Sequence, residues 1–193
     1  HPRLLAISLA LIGGRAAAPT RTGYLDVLTG YLSGTASNGG FYVQLPNPTG
    51  YANYTGIVTL NNITASHAVQ IDLRQGDALL AGTVRSNAGN VTLNVANGSL
   101  YGSGGGVYAG ANDITLSAAG TIGGVYGGTL RYVGVGAAGQ ANGQATAGTD
   151  IYVNATTGDI KLTRLQAGSG QIGYTQSSGT TTIGSLSAGG AAT

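Results

Sequence analysis

The sequence predicts an all-β fold, a β-solenoid wound in coils of about 20 residues, and three observations carry that prediction. First, apolar residues alternate with polar ones at spacing 2 in short runs, such as Val91-Thr92-Leu93-Asn94-Val95 and Ile114-Thr115-Leu116; spacing 2 is the period of a half-buried strand. Second, a turn containing glycine follows each run and leads into another short apolar run, as in Asn97-Gly98-Ser99-Leu100 and Gly120-Thr121-Ile122. Third, the phrase recurs. Ile71-Asp72-Leu73 is followed by Gly76-Asp77-Ala78-Leu79, Ile151-Tyr152-Val153 by Gly158-Asp159-Ile160-Lys161-Leu162, and Ile172-Gly173-Tyr174 by Gly179 and Ile183. Counted from the first strand residue, the copies begin at 71, 91, 114, 151 and 172, in steps of 20, 23, 37 and 21. The step of 37 is about two periods and places a weaker copy at Leu130-Arg131-Tyr132-Val133.

Taken in order, the chain opens on a basic and apolar stretch. Residues 3–18 read in two ways: as a secretory signal with an apolar core from Leu4 to Leu11 and small residues at Ala16-Ala17-Ala18, or as a strand and turn, Leu5 to Leu9 with Gly13-Gly14. Between Gly23 and Asn62 the β character persists and the period blurs. Tyr24, Tyr31, Phe41, Tyr42, Tyr51 and Tyr54 gather there, and Pro46 and Pro48 cannot donate to a central ladder, so this stretch predicts a loop or protruding hairpin. Its tyrosines could touch a ligand or pack as a lid on the flank. Residues 63–190 carry the regular repeats. Inward positions are the apolar ones, while Thr92, Thr115 and Tyr152 face out. Gly102 to Gly106 and Gly134 to Gly148 read as insertions at corners, where added residues leave the ladder intact. The whole of 1–193 therefore reads as one solenoid segment, roughly nine or ten coils and 45 to 50 Å long, with 1–62 irregular and 63–190 regular.

Composition agrees and narrows the function classes. Thirty-six of the 193 residues are Gly, 42% are hydrophobic and only 7% are charged, against about 25% in an ordinary domain. In a solenoid each position stacks on itself one coil away, and two like charges about 5 Å apart in water repel by about 0.8 kcal/mol. Thr, Asn, Ser and Gly stack without that cost. The acids, Asp26, Asp72, Asp77, Asp113, Asp150 and Asp159, do not recur at one position: Asn90 stands where Asp113 and Asp150 do, and Ser99 and Thr121 where Asp77 and Asp159 do. The net charge of +2 comes from scattered Arg and one Lys, with no basic stripe, which speaks against nucleic acid as a partner. Cysteine is absent, so there are neither disulfides nor thiolate metal ligands. No apolar span is long enough for a membrane helix.

Chemistry has few candidate carriers. A glycan-cleaving β-helix needs acids converging on one face; a corner separates Asp72 from Asp77, and Asp113 and Asp150 read as sharing a face about 10 Å apart, two coils along the ladder. Asp before a strand more often accepts backbone amides. His67 has no second histidine nearby and His1 is terminal. No Gly-x-Ser-x-Gly elbow, phosphate loop or calcium nonapeptide occurs, and the single lysine, Lys161, falls in a strand. The sequence thus assigns no catalytic, cofactor-binding or metal-ligating residue.

Three phrases carry a family resemblance: Gly89-Asn90-Val91-Thr92-Leu93, Ala118-Ala119-Gly120-Thr121-Ile122-Gly123, and Asp150-Ile151-Tyr152-Val153 running through Gly158-Asp159-Ile160 to Leu165-Gln166-Ala167-Gly168. Over about residues 63–190 the chain resembles the repeats of filamentous haemagglutinin-like exoproteins, large bacterial surface adhesins. The resemblance implies a right-handed parallel β-helix, export across the outer membrane, and a role in adhesion, biofilm or contact-dependent competition. Leu45-Pro46-Asn47-Pro48 departs from the Asn-Pro-Asn motifs of the family's secretion domain, which suggests shaft and not export domain. The expected function is a non-catalytic structural segment of an extracellular adhesin or surface fibre. The alternatives are a self-assembling fibril subunit and a polysaccharide-binding or polysaccharide-cleaving β-helix. Expected partners are further coils of the same chain, an end-to-end copy, or glycans and proteins on a host or neighbouring cell.

Overall fold

The computed structural model describes residues 3–5, 9–13, 25–45, 56–110, 112–137, 141–157, 159–190 and 193. Its strands build two large parallel sheets, with no helix among the described residues. The first sheet stacks Arg3–Leu5, Leu25–Leu28, Phe41–Leu45, Val69–Leu73, Val91–Val95, Ile114–Ala118, Ala141–Ala147, Ile160–Ala167 and Thr181–Ile183, with Leu186–Ala188 also pairing with Ile160–Ala167. The second takes Leu9–Gly13, Tyr31–Ala36, Ile57–Ala65, Asp77–Leu80 with Thr83–Ser86, Leu100–Gly102 with Gly106–Ala109, Val133–Ala137, Ile151–Thr157 and Ile172–Gln176. The chain visits the sheets alternately, each visit pairing with the previous coil, and this is a parallel β-helix.

Pleating decides what lies inside. In Val91–Val95 and Ile114–Ala118 every second residue is buried, and the partners Val91 with Ile114, Leu93 with Leu116 and Val95 with Ala118 continue one another from coil to coil. The second sheet contributes a matching column, Ile63, Val84, Val107, Val135 and Ala155. The two sets form one core, and Ile114 and Leu116 are 1% and 2% exposed. Each Leu or Ile so buried contributes about 1.5–3 kcal/mol. Thr92, Thr115 and Tyr152 lie on the outward side, half-buried, as expected.

The repeat register differs from the sequence reading. Val91 and Ile114 are equivalent, but their partner in the preceding coil is Val69 and not Ile71. Ile151 and Ile172 pair with each other on the second sheet, in line with Ile122. Each coil carries two strands of the same alternating pattern, and a period of 2 is blind to which sheet a strand joins. The copy expected at Leu130 to Val133 lies instead at Gly143 to Ala147, opposite Ile114 to Ala118. Its inward residues, Gly143, Ala145 and Ala147, are too small to announce a core strand. Neighbouring Leu162 and Ile160 fill the space over Gly143, where a Cβ would come within 2.9 Å of Leu162 Cδ2. The void that remains is about 10 Å³, too little for a water molecule to occupy with its full complement of partners.

Coil lengths follow from the true register. Ile71, Leu93, Leu116, Ala145, Leu165 and Leu186 succeed one another in steps of 22, 23, 29, 20 and 21 residues. The long step does not come from Gly134 to Gly148, most of which is strand. It comes from residues 123–132, inserted where the second sheet bends between its two strand segments. That bend takes residues 81–82 in one coil and 103–105 in the next. The stretch before residue 63, expected to leave the ladder, stays in it through most of the described part: Leu25–Leu28, Tyr31–Ala36 and Phe41–Leu45 are in register, and Phe41 is fully buried. Tyr24, the Pro46 to Gly50 turn, Tyr51 and Tyr54 lie outside the described residues, as do residues 6–8 and 14–18, while Arg3–Leu5 and Leu9–Gly13 pair as strands of the first and second sheet.

Leu116→Ala should lower stability by about 2–5 kcal/mol and Thr115→Ala by a few tenths. Thermal unfolding of the two variants checks this, and equal shifts would sink the register.

Candidate functional site

The acids come first, because catalysis on a β-helix would rest on them. Asp113 and Asp150 do not share a face. Asp113 precedes Ile114 on the first sheet, and Asp150 precedes Ile151 on the second. The five acids whose side chains are described are all engaged locally. Asp77 Oδ1 accepts the backbone N–H of Ser99 at 2.7 Å, Asp150 Oδ1 that of Gln171 at 2.7 Å, and Asp159 Oδ1 that of Thr180 at 2.9 Å. Asp113 Oδ1 accepts from Asn142 Nδ2 at 3.0 Å, and Asp72 Oδ2 from Gln70 Nε2 at 3.2 Å.

These bonds assemble columns. Asp77, Ser99, Thr121, Asp150 and Gln171 occupy one position at the mouth of successive second-sheet strands, and Ser99 Oγ in turn accepts from Thr121 N at 3.1 Å. Asn90 and Asp113 are equivalent as expected, with Asn90 Oδ1 accepting from Asp113 N at 3.2 Å. Asp150, however, belongs with Asp77, and Asp159 opens a first-sheet strand. An acceptor before a strand satisfies an amide that the turn leaves unpaired. His67 is exposed, its Nδ1 3.1 Å from Ser66 Oγ, and Lys161 is exposed on its strand. Among the described residues no three His, Cys, Asp or Glu side chains converge as metal ligands would.

The feature that breaks the coil is an antiparallel hairpin, Gly124–Tyr126 against Thr129–Arg131. Gly127 and Gly128 turn it with φ of 58° and 78°, the two positive values a two-residue hairpin loop of matching twist needs. Val125 and Leu130 lie opposite each other and are 66% and 45% exposed. Four tyrosines brace the root. Through the pairing of Leu100, Ile122 and Ile151, Tyr101, Gly123 and Tyr152 follow one another on the outward side. The hairpin leaves the coil beside Gly123. Tyr126 leans on Tyr101 with ring centroids 5.2 Å apart, and Tyr132 meets Tyr152 edge-on at 5.7 Å. Gly123 has φ 75°, and a Cβ there would lie 2.4 Å from the Tyr152 carbonyl oxygen. Sequence reasoning missed this hairpin, although Gly127-Gly128 between Val125-Tyr126 and Thr129-Leu130 is a hairpin signal.

Burial raises the pKa of Tyr152 above its usual 10.0, and the charge of Asp150 and neighbouring Tyr132 push the same way. The neutral phenol is the form the fold favours, so its contribution to stability is complete below about pH 10 and is lost as pH rises through the folded-state value. In a difference titration at the phenolate absorbance, wild type minus Tyr152→Phe should titrate on the alkaline side of free tyrosine. Asp150→Asn should remove only the smaller part of that shift, and a Tyr152 titrating like free tyrosine would contradict the packing. Gly127→Ala should cost about 1 kcal/mol for its left-handed backbone, and Gly123→Ala clearly more, since a neighbouring carbonyl must also move. Melting temperatures of the two variants decide it.

The chain matches no family model, no curated protein and no solved structure.

Proposed function

We propose that this chain is a non-catalytic structural segment of an extracellular bacterial adhesin or surface fibre, a shaft whose work is to be long and stiff. One observation carries the reading: of the five acids whose side chains are described, the residues a β-helical hydrolase would need, four are taken up as coil-to-coil acceptors, and only Asp72 bonds within its own strand. Asp77, Asp150 and Asp159 each hold a backbone N–H of the following coil. A carboxylate so bound serves the coil itself, satisfying a backbone amide that the turn would leave unpaired. The resemblance of the repeats to filamentous haemagglutinin-like exoproteins supports the extracellular setting.

Two measurements test the proposal. Immunogold labelling of intact producing cells with antibodies to the 193-residue chain should decorate the surface, and label confined to the cytoplasm would overturn it. Incubation with a polysaccharide panel should release no reducing ends; release that vanishes in the Asp113→Asn, Asp150→Asn double variant would make the chain a hydrolase instead.

A further inference from the structure

The outward side of the first sheet carries a hollow of about 460 Å³, lined by Gln44, Asp72, Arg74, Asn94, Ala96 and Asn97. Its floor is a register column: Gln44 pairs with Asp72 and Asp72 with Asn94. Successive floor groups are therefore about 4.8 Å apart along the rod.

The walls are braced from within. With its oxygen toward Arg74, the Gln44 amide accepts from Arg74 Nε and Nη2, both at 3.2 Å. Gln70 holds Asp72 Oδ2, and Asn97 Nδ2 donates to the Arg74 carbonyl at 2.8 Å. These bonds leave Asp72 Oδ1, Asn97 Oδ1 and the Asn94 amide to line the hollow without a hydrogen-bond partner among the described residues. Asp72 and Asn97 are braced and keep unused capacity, so that part of the site is already organised for a ligand, which spares the entropy of ordering them on binding.

Their chemistry selects the ligand. Acceptors and donors are mixed, which suits hydroxyl groups, since each hydroxyl both donates and accepts. Asp72 opposes a polyanion and Arg74 opposes a cation. No aromatic or long aliphatic side chain lines the hollow, which leaves little for a lipid or an aromatic ligand. The spacing along the rod is comparable to the length of one sugar ring in an extended chain. We infer that this hollow binds a neutral, extended polysaccharide lying along the rod axis, with successive sugar rings over successive coils. The site does not depend on whether the rod is a shaft or a fibril subunit.

Calorimetric titration of the full chain with cellohexaose, xylohexaose and chitohexaose tests the inference, with hexagalacturonate as the anionic comparison. Saturable binding of at least one neutral hexasaccharide is expected. Asp72→Ala and Asn94→Ala should each weaken it about tenfold or more, and Gln144→Ala, elsewhere on the same sheet, should leave it unchanged. All three variants should melt as wild type does. Failure of all three neutral probes to bind, equal affinity in the Asp72 and Asn94 variants, or tighter binding of hexagalacturonate would overturn it. Bound sugar that is then cleaved would overturn the non-catalytic reading and leave this one standing.

Discussion

Every part of this structure answers to one constraint: a residue on a β-helix has its own counterpart as a neighbour, about 4.8 Å above and below. Whatever is placed at a position must tolerate that neighbour. Apolar residues do so inside, where Ile71, Leu93 and Leu116 share one column. Outside, charges do not, and the chain is left with 7% of them. The outer rows of the first sheet are built of uncharged polar groups for the most part, as in Gln70, Thr92, Thr115 and Gln144, where Gln144 Nε2 donates to Thr115 Oγ1 at 3.0 Å.

Bulk faces the same limit as charge. A tyrosine on an outward row needs room above or below, and glycine provides it. Tyr108 pairs with Gly136, where a Cβ would come within 2.6 Å of the ring, and Tyr152 pairs with Gly173 at the same 2.6 Å. The rings lie over backbone that would otherwise be bare, the arrangement known to stabilise glycine in strands. The same logic admits the hairpin. It departs from the coil beside a glycine, between two tyrosines, and its own two tyrosines complete the packing there. Insertions in a solenoid fall at such bends because the ladder on either side keeps its register, and Val107 still meets Val135 across the excursion.

For function, the consequence is a division of labour. Residues at strand mouths hold coil to coil, and this occupies most of the acids. Groups on the outer side of the first sheet are held in place by neighbours and retain hydrogen-bonding capacity. Such a surface suits an extended, uncharged partner better than a compact charged one, since its groups repeat along the rod at a fixed interval.

By itself the sequence determined the all-β class, the winding into coils of about 20 residues, the inward placing of Ile114 and Leu116, and the scarcity of charge, because alternation and recurrence are properties of the chain's order. Only the tertiary structure decided which of the two sheets a strand joins. Val69, not Ile71, precedes Val91 in its column, and Ile151 belongs with Ile122, because two strands per coil share one pattern and sheet membership depends on how many residues each turn spends. The strand at Gly143 to Ala147 was invisible for a related reason: its core is filled by Leu162 and Ile160 of the next coil and not by its own side chains. The same dependence separated Asp113 from Asp150 and brought Gln44, Asp72 and Asn94 into one line, since closeness across coils is set by register and not by sequence spacing.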